Sequence, residues 1–178
     1  MIETAQPVVQ WEGKYIRVLQ GERWEYVERV HATGAVVIAA VTSEGNLILT
    51  EQYRLPVAKR VIELPAGLAG DIAGHEMENL SSAAKRELLE ETGYEAGEMI
   101  RLACGPPSAG LSSEMVTFFR ATGLQRIGSG GGDEHEQIQL HEIPLQAVPE
   151  WLEKRAGDGA LIDPKVYVGL YFINCGRP

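Results

Sequence analysis

The run Gly34-Ala35-Val36-Val37-Ile38-Ala39-Ala40-Val41 carries no polar side chain from end to end. A strand points successive side chains to opposite faces, so an unbroken apolar run needs cover on both. That pattern belongs to a central strand with layers above and below it. At 178 residues the chain is one domain, or one domain with a small appendage, and long enough to bury such a core.

The flanking patterns extend this reading. Asn46 to Arg54 follows across a Ser43-Glu44-Gly45 turn and is expected to form a hairpin with the apolar run. Val61 to Leu64 reads as a short strand stopped by Pro65. Further strands are expected at Met99 to Ala103, Met115 to Ala121 and Gln137 to Ile143. Pro149 to Arg155 and Pro164 to Ile173 read as helices, each with proline in the first turn, where a missing N–H costs little. The whole is an α/β layered domain around a mixed sheet. Ahead of it, Val8, Val9 and Trp11, then Tyr15, Ile16 and Val18, then Trp24, Tyr26 and Val27 form apolar clusters punctuated by Gly13 and Gly21. They predict an N-terminal antiparallel unit, residues 1–30, attached to a main domain of residues 31–178. A sheet that small must pack on something.

One helix is expected from Asn79, a favourable N-cap, to Gly93, the usual terminator. At about 100° per residue, Leu80, Ala83 and Ala84 share a side with Glu87 and Glu91, and Glu90 completes an i, i+3, i+4 acidic set. A solvated face would not carry Leu80 and two alanines. The carboxylates are therefore expected to point at protein, where a hard divalent cation would neutralise their mutual repulsion. No histidine or cysteine cluster offers softer ligands, which points to Mg2+ or Mn2+.

A net charge of −9 argues against nucleic acid or an anionic membrane as partner. The two cysteines, Cys104 and Cys175, lack metal-type spacing and are expected to be reduced, buried thiols of a cytoplasmic protein. Neither a leader segment nor an apolar span of membrane length is discerned.

Glu78, seven intervening residues and Arg86-Glu87-Leu88-Leu89-Glu90-Glu91-Thr92-Gly93-Tyr94 resemble the Nudix hydrolase signature, G-x5-E-x7-R-E-U-x-E-E-x-G-U, with U aliphatic or aromatic. The strict glycine position falls on Ile72. Gly67 is taken as its equivalent, which makes Leu68 to Met77 a lengthened loop. The resemblance implies the Nudix fold, an α/β/α sandwich, and metal ligation by Glu87, Glu90, Glu91 and the backbone carbonyl of Ala66. Arg86, four residues before Glu90, is read as a helix ion pair that orients the site.

Other segments resemble the ADP-ribose pyrophosphatase and nucleoside diphosphate sugar hydrolase branch. Gly132-Asp133-Glu134-His135-Glu136 is similar to its mobile E-x-E loop, which implies Glu134 as general base and Glu136 as accessory metal ligand. Glu51-Gln52-Tyr53-Arg54 resembles its E-Q-x-R segment, which implies Arg54 on the diphosphate. Ser108-Ala109-Gly110-Leu111-Ser112-Ser113-Glu114 resembles its S-P-G loop; Gly110 and Glu114 match and imply a contact to the terminal sugar, while Ala109 replaces the marker proline. Trp24 and Tyr26 offer faces on which a base can stack, although strand aromatics more often pack. The resemblance thus implies Mg2+-dependent cleavage of nucleoside diphosphate sugars, ADP-ribose favoured, giving AMP and ribose 5-phosphate. It also implies a homodimer joined through the N-terminal strands. A GDP-mannose-type hydrolase with the same metal site is the alternative. A non-catalytic nucleotide sensor ranks below both, because such a module is expected to lose the metal carboxylates.

Overall fold

The computed structural model describes residues 6–72, 74, 76–132 and 137–175. It opens with β1 (Val8–Glu12), β2 (Ile16–Gly21) and β3 (Trp24–Arg29), an antiparallel sheet in the order β1-β2-β3. The apolar run becomes β4 (Gly34–Ala40), followed by β5 (Asn46–Arg54), β6 (Lys59–Glu63) and β7 (Ala66–Ala69). Helix α1 (Leu80–Thr92) leads to β8 (Tyr94–Glu95), β9 (Glu98–Gly105), β10 (Val116–Thr122), β11 (Gln125–Arg126) and β12 (Gln139–Pro144). The chain ends in α2 (Val148–Gly157), β13 (Leu161–Ile162) and α3 (Pro164–Asn174).

The expected mixed sheet is two four-stranded mixed sheets, ordered β7-β4-β10-β9 and β12-β5-β6-β13. Strand β10 runs parallel to β4, and β13 runs parallel to β6. As its composition demands, β4 is covered on both faces. Val36, Ile38 and Ala40 pack with Ala83, Ala84 and Leu88 of α1. Val37, on the other face, joins a second core with Val148 and Leu152 of α2 and Val166 of α3.

The hairpin between β4 and β5 does not form. Both edges of β4 are occupied, by β7 and β10, so β5 has no edge to pair with and enters the second sheet. A lone antiparallel bridge, Val41 to Leu47, remains at the corner. Strand β7 also takes part of what the sequence suggested as loop, pairing Ala66 to Ala69 with Val37 to Gly34. Cys104 and Cys175 are exposed, contrary to the buried packing expected of them. Cys104 sits on β9, the edge strand of its sheet, where its Sγ accepts from Thr117 Oγ1 at 3.5 Å.

The N-terminal sheet is stitched to the loop before β10. Val27 N–H donates to the Leu111 carbonyl at 2.8 Å, and Ser113 N–H donates to the Val27 carbonyl at 3.0 Å. Among the described residues no helix is long and apolar enough to cross a membrane.

Candidate active site

Helix α1 is held at both ends by local chemistry. The Asn79 side chain accepts from Ser82 N–H at 2.9 Å, and Gly93, at φ 75°, closes the helix with its N–H on the Leu89 carbonyl. Packing of Ala83, Ala84 and Leu88 into the first core fixes the rotation of the helix. That rotation turns Glu87 and Glu91 inward. Both side chains are largely buried, at 14% exposure for Glu87 and 3% for the Glu91 residue. Glu90, at 51%, stays on the exposed flank. The shared inward face expected of the three carboxylates therefore holds two of them.

Strand β7 presses directly on this pair. Ala66 N–H donates to Glu91 Oε2 at 3.1 Å. Gly67 faces Glu87 with no room for a side chain. Behind them, Arg86 spans the space between helix and strand. Its guanidinium donates to the Leu68 carbonyl at 2.9 Å and to Glu78, Glu87 and Glu90 at 3.0, 2.8 and 3.2 Å. Burial works against this charge, but the Glu78 hydrogen bond and the Glu87 carboxylate outweigh it and hold Arg86 more firmly protonated.

Glu87 and Glu91 open into a cleft of about 320 Å³ that Arg54, Glu63, Ala66, Gly67 and Glu114 also line. Arg54, at the end of β5, meets Glu63 of β6 through two N–H···O contacts of 2.8 and 3.1 Å. Glu114 is paired with Arg29 of β3. Burial pushes the Glu87 carboxyl up to about 7; Arg86 pulls it down, and Glu90 and Asp71 add to the rise. A carboxylate held so far above its ordinary range favours a cation beside it.

Of the residues singled out in the sequence, Arg54, Ala66, Glu87, Glu91 and Glu114 converge on this cleft. Arg86 stands behind it and Glu90 beside it. Gly110 lies in the exposed loop tied to β3, and Trp24 and Tyr26 do not line the cleft. Glu134 and Glu136 lie outside the described residues. Their loop departs, however, from a defined place. Gly131 N–H and Gly132 N–H donate to the carbonyls of Glu91 and Glu90 at 2.9 and 3.1 Å, on the end of α1. A β-carbon on Gly130 would lie 2.6 Å from the Glu91 carbonyl oxygen, so the glycine run serves close approach to the helix.

Arg29, Glu63 and Lys165 also line the cleft and were not singled out. Arg29 and Glu63 carry no local signal. Lys165 does: a cation in the first turn of a helix opposes the helix dipole.

The donor set suits a hard divalent cation. Glu87 and Glu91 offer only oxygen, their negative charge faces the cleft, and the space above them is kept clear by a glycine. Among the described residues no group of three acidic, histidine or cysteine side chains is placed to hold a metal ion without rearrangement.

Two levels of likeness place the chain. The NUDIX domain model matches residues 31–161, and the chain belongs to the Nudix hydrolase family. Among curated proteins it is 34% identical over 145 residues to the methanol dehydrogenase activator of Bacillus methanolicus, covering 80% of this chain and 76% of that protein. It is 35% identical to the ADP-ribose pyrophosphatase of Bacillus subtilis, over 72% of this chain and 67% of that one. It is 32% identical to the GDP-mannose pyrophosphatase of Pectobacterium atrosepticum, over 72% and 68%. A solved ADP compounds hydrolase shares the fold, with a TM-score of 0.63 at 20% identity over 83% of this chain and 82% of that chain.

Proposed function

We propose that this chain is a divalent-cation-dependent pyrophosphatase that splits the diphosphate bond of nucleoside diphosphate sugars, ADP-ribose first. The observation that carries the reading is the convergence of Glu87 and Glu91 with Arg54 and Glu114 in one cleft. Glu87 and Glu91, with Glu90 and the Ala66 carbonyl, are the residues that would hold Mg2+ or Mn2+. When bound, the cation supplies neutralisation of the charge that builds on the diphosphate.

The rest is work for the protein. Arg54 grips phosphate oxygens with the two-pronged face it now turns to Glu63. Glu134 takes a proton from the attacking water, and Glu136 would add an accessory ligand to the cation. Arg86 holds Glu87 and Glu90 in register from behind. Glu114 accepts from a hydroxyl of the distal sugar, with Arg29 fixing its position, and Gly110 shapes the loop around that sugar. The base is expected against Trp24 and Tyr26 supplied by a second copy, since within one copy they do not line the cleft. A homodimer fits the exposure of Val8, Trp11, Tyr15 and Trp24 on the N-terminal sheet.

A second reading, hydrolysis of GDP-mannose, uses the same metal site with a different base pocket and is favoured by the likeness to GDP-mannose pyrophosphatases. A substrate panel with product identification tests both. Nucleotide sugars should yield a nucleoside monophosphate and a sugar phosphate, with no free pyrophosphate. Pyrophosphate release from a nucleoside triphosphate as the fastest reaction would overturn the assignment.

A further inference from the structure

The acidic cleft poses a problem for an anionic substrate. Carboxylates outnumber cations along its walls by five to three. Two of the cations, Arg29 and Arg54, are matched by carboxylates of the same cleft, Glu114 and Glu63. The third, Lys165, is placed differently. Its partner is Asp163, which does not line the cleft and faces a neighbouring apolar cavity of about 480 Å³.

We propose that Lys165 is a substrate-binding residue whose ammonium takes a phosphate oxygen at the wall formed by α3. The proposal rests on the pyrophosphatase reading. Lys165 lines both the cleft and the apolar cavity, whose walls include Pro106, Pro107 and Phe118. A lysine in that position lays its methylene stem on apolar surface with the polar side within reach of its ammonium. Asp163 aims it. One carboxylate oxygen accepts from Lys165 N–H at 2.8 Å as the helix cap, and the other pairs with the ammonium.

The test separates a binding role from a structural one. Lys165→Met keeps the stem and removes the charge. It should raise KM for ADP-ribose about tenfold or more, as loss of a hydrogen bond to a charged group does, with kcat within about threefold. Lys165→Arg should restore most of the KM. Asp163→Asn breaks the same ion pair yet keeps the ammonium, and should leave KM unchanged or lower it. In the wild-type protein, ADP-ribose should slow reductive methylation of Lys165 and leave that of Lys154 on α2 unaffected. A Lys165→Met KM within twofold of wild type, no recovery with arginine, an equal KM rise in Asp163→Asn, or unprotected Lys165 would each overturn the proposal. If the wild type prefers ATP to ADP-ribose, the nucleotide-sugar assignment fails on its own, and the same comparison run on ATP still decides Lys165.

Discussion

Gly67 faces the Glu87 carboxyl so closely that a β-carbon at residue 67 would lie 1.9 Å from the Glu87 carboxyl carbon. The geometry explains why glycine stands here and why Gly67, rather than the exposed Ile72, answers to the signature position. Gly67→Ala must push the Glu87 side chain off its place. Activity should fall about 100-fold, the scale of a misplaced functional group, while circular dichroism shows an intact fold. Wild-type turnover in Gly67→Ala would mean that the position of Glu87 does not matter.

Acidity links Glu87 to stability. Its carboxyl stands near 7 in the fold against 4.5 in its ordinary state, with burial as the main cause. Between those values the folded protein holds a proton that the unfolded chain has lost. The contribution of this group is therefore fully present below about 4.5 and is lost as pH rises through about 7. Metal-free protein should show a higher Tm at about pH 6 than at about pH 8, with the slope reduced in Glu87→Gln. Mg2+ should raise Tm more at the higher pH, where it meets no competing proton. Calorimetry at both pH values, with and without Mg2+, checks the sign.

Glu134 is expected to serve as the base. Glu134→Gln should lose roughly 10²–10⁴-fold in kcat, the usual share of a positioned general base, with Mg2+ affinity kept. The reverse pattern, a crippled Glu136→Gln beside an active Glu134→Gln, would exchange the two roles.

Away from the cleft, Glu51 is the anchor of the second sheet. Its side chain is 1% exposed and takes contacts from Arg60 at 2.6 Å, His141 at 2.8 Å and Arg155 at 2.7 Å. Burial would raise its carboxyl, but hydrogen bonds from Arg60, His141 and Arg155 more than offset this and lower it. Glu51→Ala strips the counter-charge from Arg60 and Arg155 and the hydrogen-bond partner from His141, and should destabilise the fold by about 3 kcal/mol, the low end for breaking a buried pair because Arg60 is half-exposed. Urea denaturation reads it directly, and a loss under about 1 kcal/mol would show that solvent replaces Glu51 without difficulty.

The N-terminal sheet predicts assembly. Light scattering at micromolar concentration should give a dimer, and aspartate at Trp11 should weaken it. A fully active monomer would leave the exposed Val8, Trp11 and Trp24 without that explanation.

What the sequence determined by itself is what near neighbours decide. Asn79 and Gly93 bound α1 because capping is a local hydrogen-bond matter, and the small residues Ala83 and Ala84 turn Glu87 and Glu91 inward with them. The apolar β4 demanded two covering layers and has them. The tertiary structure alone decided which distant groups meet. β5 left β4 because β7 and β10 had filled both of its edges. Arg29 reached Glu114 across 85 positions of chain. Glu90, alike in type to its neighbours, stayed on the exposed flank of α1. Periodicity sets the face a residue presents; which partner fills that face depends on edges and charges brought together only when the whole chain closes.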